Sequence, residues 1–212
     1  MGGTAGATDV IAGTQETYRH IAAAYAEHWD GAETRWLHDE AVRLAAELPP
    51  GALVADVGCG PGNDTVRLRG LGLRAHGFDL SHAMLTARAV PGQVRADLRA
   101  LPLPDGAIDA VWCVAVLLHI PRDLLPGALA ELRRVLRPGG VGLITIAEGA
   151  GEGWERFPHQ RDGEHRRYYV YHSAEDFTAL LAAAGLRIRD TVRHSSHRDW
   201  VSLHVRRDPG VH

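Results

Sequence analysis

A chain of 212 residues that is 45% hydrophobic holds one domain with a sizeable core and leaves little room for two independent ones. Its formal charge of −3 argues against an obligatory nucleic-acid partner, and all 23 of its basic residues are arginine, a usage that reads as coding bias. Two cysteines, Cys59 and Cys113, fall in adjacent predicted core elements, and neither a signal peptide nor an apolar run of about 20 residues stands out, so a cytoplasmic protein with reduced thiols and no membrane span is expected.

Residues 1–12 are small and weakly patterned and are expected to be a flexible start. From Thr14 the pattern turns helical, with Tyr18, Ile21, Ala22, Tyr25 and Trp29 at i, i+3, i+4 spacing, and a second amphipathic helix runs from about Glu33 to Leu48. Pro49-Pro50-Gly51 turns the chain into a short apolar strand, Leu53–Val57. Gly58, Gly60 and Gly62 follow on alternate positions, and Asn63, Asp64 and Thr65 supply cap-type residues for a helix to about Leu71. Strand, glycine turn and helix make the front of a nucleotide-type site. Compared with the dinucleotide spacing G-x-G-x-x-G, the third glycine comes one residue early, and Asp56 just ahead suits a cationic amine better than a diphosphate.

The second strand, Leu73–Phe78, ends in Asp79, placed to accept both hydroxyls of a ribose; capping the helix Ser81–Arg88 is the competing role, for which Ser81 is a rival. Gln93–Ala96 reads as a third strand and Ile108–Val114 as a fourth, whose carboxyl end, Cys113 to Val116, should line the site. A helix over Leu124–Leu136 stops at Arg137-Pro-Gly-Gly140, and Val141–Ala147 gives a fifth strand. Glu148–Arg167 breaks the rhythm and reads as a lid or a disordered loop. After Tyr168-Tyr-Val-Tyr171 and His172 comes the helix Ser173–Ala184, opened by a capping-box-like Ser173-Ala-Glu-Asp176. Leu186–Val192 and Trp200–Val205, joined by a polar turn, must pair antiparallel, and Arg206–His212 reads as a frayed tail. The expected fold is α/β: a Rossmann-like, doubly wound, seven-stranded sheet, mostly parallel, with an antiparallel C-terminal hairpin.

Several segments together resemble the class I S-adenosylmethionine (SAM)-dependent methyltransferases that act on small molecules. They are the acid-x-Gly-x-Gly-x-Gly of Asp56–Gly62, Asp97-Leu98 with the following Leu-Pro-Leu-Pro-Asp-Gly, Asp109-Ala-Val111, and Leu132-Arg-Arg-Val-Leu-Arg-Pro-Gly-Gly140; Tyr18-x-x-Ile-Ala-x-x-Tyr25 resembles the family's N-terminal segment. The resemblance implies one domain over 13–212, with 13–50 as a helical lid and 148–172 as a substrate-side loop. It implies SAM as methyl donor, S-adenosylhomocysteine (SAH) as product, and a cofactor site of Asp56, Gly58, Cys59, Gly60, Gly62, Asp79, Leu80, Asp97, Leu98, Cys113, Val114, Tyr18 and Tyr25. Asp97 would take the adenine amine, and Tyr18 or Tyr25 would approach the methionine carboxylate, although helical packing also explains the tyrosines.

Trp154, Phe157 and Tyr169 could cover an apolar acceptor, and Arg161, Arg166 and Arg167 could hold an anionic one; core packing and solvated pairing with Asp162 and Glu164 are the alternatives. Methyl transfer needs a base only when the nucleophile arrives protonated, and His119, His172 and Tyr168 are the candidates. The histidine spacing matches no metal motif, so no metal is expected. The Asn/Asp-Pro-Pro-aromatic motif of base-amino methyltransferases is replaced by Val114-Ala-Val-Leu117. A small-molecule acceptor, no nucleic acid, no membrane, and a monomer or homodimer are expected. RNA or protein methylation, a SAM-binding enzyme of other chemistry, a non-enzymatic SAM module and a nicotinamide dehydrogenase stay open as rivals.

Overall fold

Alternation within the strands builds both faces of the sheet. In β1 (Leu53–Val57) and β4 (Ile108–Cys113), Ala55, Val57, Val111 and Cys113 point to one core, while Val54, Ala110 and Trp112 point to the other. These runs are apolar on both sides because helices cover both faces. The computed structural model describes residues 6–28, 34–156, 165–196 and 198–209.

The chain begins with α1 (Ala7–His28) and α2 (Trp36–Ala46), and β1 leads into α3 (Asn63–Gly70), β2 (Arg74–Asp79), α4 (His82–Ala87) and β3 (Gln93–Arg95). After β4 come α5 (Leu125–Val135), β5 (Leu136–Ala147), a separate hairpin of β6 (Glu152–Arg156) and β7 (Arg166–Val170), α6 (Ala174–Ala183), β8 (Leu186–Ser195) and β9 (Asp199–Arg207). The seven-stranded sheet has the order β3-β2-β1-β4-β5-β9-β8. Pairs from β3 through β5 are parallel, and β9 runs antiparallel to both β5 and β8, as expected. On one face α5 packs Leu125, Leu129 and Leu132 with Phe177 and Leu181 of α6 against the sheet; on the other, Leu37, Ala41 and Leu44 of α2 and Leu68 of α3 do so.

Several expected boundaries shift. Helix α1 begins at Ala7, so residues 7–12 are helix rather than a flexible start. Helix α2 packs on the sheet, and among the described residues of the N-terminal segment α1 supplies those that line the cleft. Helix α3 starts after Gly62 with no side-chain cap, because Asp64 and Thr65 turn inward instead. Strand β9 runs on through Arg206 and Arg207, which were expected to fray. Within the loop expected over 148–167, β6 and β7 pair Trp154 with Tyr168 and Arg156 with Arg166. The outer edge of β7 is closed by α1: Thr14 Oγ1 accepts from the Tyr168 N–H at 3.2 Å and Thr17 Oγ1 donates to the Arg166 carbonyl at 2.5 Å.

Beneath α2 lies a polar cluster the sequence pattern does not announce. Glu40 is buried, and its carboxylate accepts from His194 Nε2 at 2.9 Å and from His204 Nε2 at 2.7 Å. Burial pushes the carboxyl up, but the bonds from His204 and His194 outweigh it and leave it below the ordinary value. A depressed carboxyl stabilises the fold above its unfolded pKa and loses that contribution as pH falls. Glu40→Gln is therefore expected to cost about 1.5–3 kcal/mol in urea unfolding at neutral pH. The difference from wild type should shrink below pH of about 4, and a gap that stayed constant into acid would contradict this role.

Candidate active site

The order of the sheet reverses between β1 and β4, and a cleft of about 1080 Å³, including its open mouth, lies outside the carboxyl ends of the strands there. Its lining follows the strand order. Asp97 and Leu98 follow β3, Asp79 and Leu80 end β2, Gly58, Cys59 and Gly60 follow β1, and Val114, Ala115, Val116 and His119 follow β4. Ile11, Thr14, Gln15, Tyr18 and Tyr25 of α1 form the roof. The cleft is thus an elongated slot with chemically different ends.

The glycine turn is tied to β2. The N–H groups of Gly58 and Cys59 both donate to the Phe78 carbonyl, at 2.6 and 3.1 Å. Gly58 has φ +71°, and a Cβ there would stand 2.1 Å from Val116 Cγ2, so no other residue fits. Gly62, also left-handed at φ +91°, turns the chain into α3 and lies outside the cleft, where a Cβ would meet Gln93 Nε2 at 2.6 Å. It shapes the loop rather than lining the site, which corrects its expected contact role.

Four carboxylates line the slot: Asp56, Asp64, Asp79 and Asp97. Asp79 Oδ2 accepts from the Gly60 N–H at 2.8 Å and Oδ1 from the Ser81 N–H at 2.7 Å, which holds the group still and leaves each oxygen a lone pair toward the cleft. Ser81, not Asp79, caps α4. Burial raises the Asp79 carboxyl, with the two backbone bonds pulling the other way. Asp56 is buried below the glycine turn, accepts from the Thr65 hydroxyl at 2.5 Å, and is pushed up to about 7, chiefly by burial and further by the nearby charge of Asp79. Asp97 lies at the β3 end, held below its ordinary value by the side chain of Arg99, whose Nε is 3.0 Å from both carboxylate oxygens. A ligand amine would have to share it with that guanidinium.

At the β4 end, Cys113 is fully buried on the α5 face, one position out of phase with the cleft, and does not line it. Val114, Ala115 and Val116 do. His119 faces Tyr18 across the slot in a chain of bonds with one direction. The Tyr168 carbonyl can only accept, so His119 Nδ1 carries the proton it donates there at 2.6 Å. The bare Nε2 then accepts from the Tyr18 hydroxyl at 2.8 Å, and the same Tyr18 oxygen accepts from Arg167 at 3.0 Å. Burial, with Arg167 and Arg198 adding to it, holds His119 down at about 3.

The other residues expected at the acceptor end divide. Arg167 and Tyr169 are buried behind Tyr18 and His119, with the guanidinium 5.2 Å from the Tyr169 ring centre. Tyr168 reaches the site only through its backbone; its ring packs against Trp154, and Trp154 in turn lies over Gly13 on the outside of α1. Arg166 is exposed, and His172 is buried away from the slot between Phe177 and Arg122, with its pKa lowered to about 4 by burial first. Among the described residues, the side chains of His172, Tyr168, Trp154 and Arg166 do not line the cleft. Phe157, Arg161, His159 and Trp29 lie outside the described residues. The roof residues Ile11, Thr14 and Gln15 were missed, although their spacing continues the helical face of Tyr18.

Residues 55–144 match the family described as "Methyltransferase domain". A sterol 24-C-methyltransferase of Gibberella zeae is 32% identical over 147 residues, 64% of this chain and 38% of that protein. A malonyl-[acyl-carrier protein] O-methyltransferase of Serratia marcescens is 39% identical over 124 residues, 54% of this chain and 46% of that protein. The chain thus spans half or less of the length of these two relatives. The crystal structure of the Burkholderia thailandensis 1,6-didemethyltoxoflavin-N1-methyltransferase, with bound 1,6-didemethyltoxoflavin and S-adenosylhomocysteine, superposes with a TM-score of 0.78 at 21% identity, over 98% of this chain and 93% of that one. Over residues 55–144 the chain matches a methyltransferase domain, and its fold resembles that of the methyltransferase crystal structure.

The raised Asp56 carboxyl has a testable sign. The ligand-free folded state holds a proton there that the unfolded chain releases near pH 4, so stability from this group is lost as pH rises from about 4 to about 7. Asp56→Asn should flatten that part of a plot of urea midpoint against pH. A variant profile as steep as the wild type's would show that Asp56 is ionised throughout.

Proposed function

We propose that the protein transfers the methyl group of SAM to a small-molecule acceptor. The observation that carries this reading is Asp79, a carboxylate fixed by two backbone N–H groups midway along a slot with apolar walls at one end and a cation-favouring acid at the other. Asp79 would accept the two ribose hydroxyls, and Phe78, Leu98 and Leu101 offer apolar surface for an adenine ring. Asp56 beneath the glycine turn would receive the ammonium of the methionine part, which supplies the counter-charge its burial lacks. SAM, when bound, supplies a methyl group on a cationic sulfur that needs no further activation.

The chain's own contribution is then placement and exclusion of water. Helix α1 roofs the slot and is held down by the bonds of Thr14 and Thr17 to β7. The relatives are named for different acceptors, so none is transferred to this chain. Among the described residues no helix is long and apolar enough to cross a membrane, and the balanced charge supports a small acceptor met in the cytoplasm rather than a nucleic acid.

Calorimetry checks this reading. SAH is expected to bind with micromolar-scale affinity, about −8 kcal/mol. Asp79→Ala should weaken it at least tenfold, the scale of losing two hydrogen bonds to a charged group. Binding should tighten as pH rises toward 7, because an ammonium favours ionised Asp56, and Asp56→Asn should remove that dependence. NAD binding in place of SAH would overturn the reading in favour of a dehydrogenase.

A further inference from the structure

The acceptor end of the slot is built from groups that cannot take a proton. His119 is the only imidazole lining the cleft among the described residues, and both of its nitrogens are committed: Nδ1 to the Tyr168 carbonyl and Nε2 to the Tyr18 hydroxyl. To act as a base it would have to release Tyr18 and become an imidazolium. Burial and two nearby guanidinium groups oppose that change and outweigh the Tyr168 carbonyl, which favours it. Helix α1 presents Tyr18, β7 presents Arg167 and Tyr169, and the segment before β9 presents Arg198, whose guanidinium lies 4.2 Å from the centre of the Tyr169 ring that itself packs on His119. Two guanidinium groups on one side would face the new cation.

The same groups suit an anion. Arg167 is buried and donates from Nη1 to the Tyr18 oxygen, and Tyr18 lines the cleft wall beside His119. The positive end of the network thus looks into the slot through one neutral tyrosine, at a depth where charge is weakly screened. The position follows from the strand order: the adenosyl-binding acids follow β2 and β3, and Tyr18 with His119 lies beyond the glycine turn, over the end of β4.

Resting on the methyltransferase reading above, we propose that the acceptor is a small-molecule carboxylate, held at the β4 end of the cleft under the charge of Arg167 and methylated on oxygen without a base. A carboxylate oxygen attacks the methyl carbon with its own lone pair; an oxygen–carbon bond forms, the carbon–sulfur pair stays on sulfur, and no proton moves. The carboxylate and sulfonium charges cancel, leaving a neutral methyl ester and SAH. The hold of Arg167 weakens as the carboxylate charge is consumed, so it acts on acceptor affinity more than on the chemical step, and it releases the neutral ester.

The acceptor need not be identified for the test to work. Protein, SAM labelled in its methyl group and a protein-free metabolite extract are incubated, and the labelled product is treated with mild alkali. A methyl ester releases its label as volatile methanol, whereas methyl ethers, N-methyl and C-methyl products retain it. Volatile label supports the proposal; label retained after alkali overturns it. In parallel, succinate, citrate and phenylacetate are titrated into SAH-loaded protein. At least one is expected to bind, with Arg167→Gln weakening it about tenfold or more and Arg167→Lys partly restoring it. Tight binding of benzyl alcohol or benzylamine with none of the acids binding would overturn the proposal. SAH titrations on each variant report whether the cleft still assembles, and a wild type that fails to bind SAH would sink the methyltransferase reading itself, separately from the carboxylate.

Discussion

Asp56, buried below the glycine turn, and Asp79, half-buried at the end of β2, set the terms for the rest of this structure. Asp56 and Asp79 end neighbouring strands, and each is raised by burial; the charge of Asp79 pushes Asp56 further. A fold has no need of such a pair, since like charges in a poorly hydrated strip cost stability. The surroundings offset part of that cost with the Thr65 hydroxyl on one acid and the Gly60 and Ser81 N–H groups on the other. What remains unbalanced is negative charge facing a slot, which is the condition for binding a ligand that brings hydroxyl donors and a cation.

The opposite wall has the opposite sign. Arg167 lies over the rings of Tyr18 and Tyr169 and Arg198 over Tyr169, and Tyr171 with Glu155 ties Arg198 back to β6. Asp56, Asp64, Asp79 and Asp97 line the slot, whereas Arg167 stands behind the Tyr18 oxygen to which it donates and Arg198 is paired with Glu155. Because His119 lies within reach of both guanidiniums, the field that would attract an anion also keeps the imidazole neutral. Anion recognition and the absence of a base are one property of this wall.

Much of this was legible in the sequence for reasons that can be named. Period-two burial in β1 and β4, the glycine triplet and the acid ending β2 are local signals, and they gave the sheet, the turn and Asp79 directly. Parity also held the answer for Cys113: with Val111 it belongs to the α5 face, so it could not share the cleft with Val114. The hairpin of β6 and β7 was hidden because Glu152-Gly-Trp-Glu-Arg has no apolar run, and its stability comes from α1 closing its edge. Arg167 had equal claims as a solvated loop residue, because its burial depends on Tyr18, 149 positions away. Glu40 was silent for the same reason, its partners His194 and His204 lying 154 and 164 positions along the chain.

The two ends of the slot are also mechanically joined. Ala115 takes a left-handed backbone at φ +56°, a conformation that disfavours side chains, and its N–H donates to Thr145 Oγ1 at 2.9 Å on the neighbouring β5. That bend places Val116 where only a glycine at position 58 can pass, so the glycine turn is shaped by a side chain from the β4 end of the cleft. Gly58 in turn is bonded to Phe78, one residue before Asp79. Val116 and the glycine turn thus link the β4 end of the cleft to the end of β2 that carries Asp79. Closely packed groups of this kind move together rather than one at a time, so Thr145, in the middle of the sheet, helps to hold the β4 end of the cleft and the glycine turn in one arrangement.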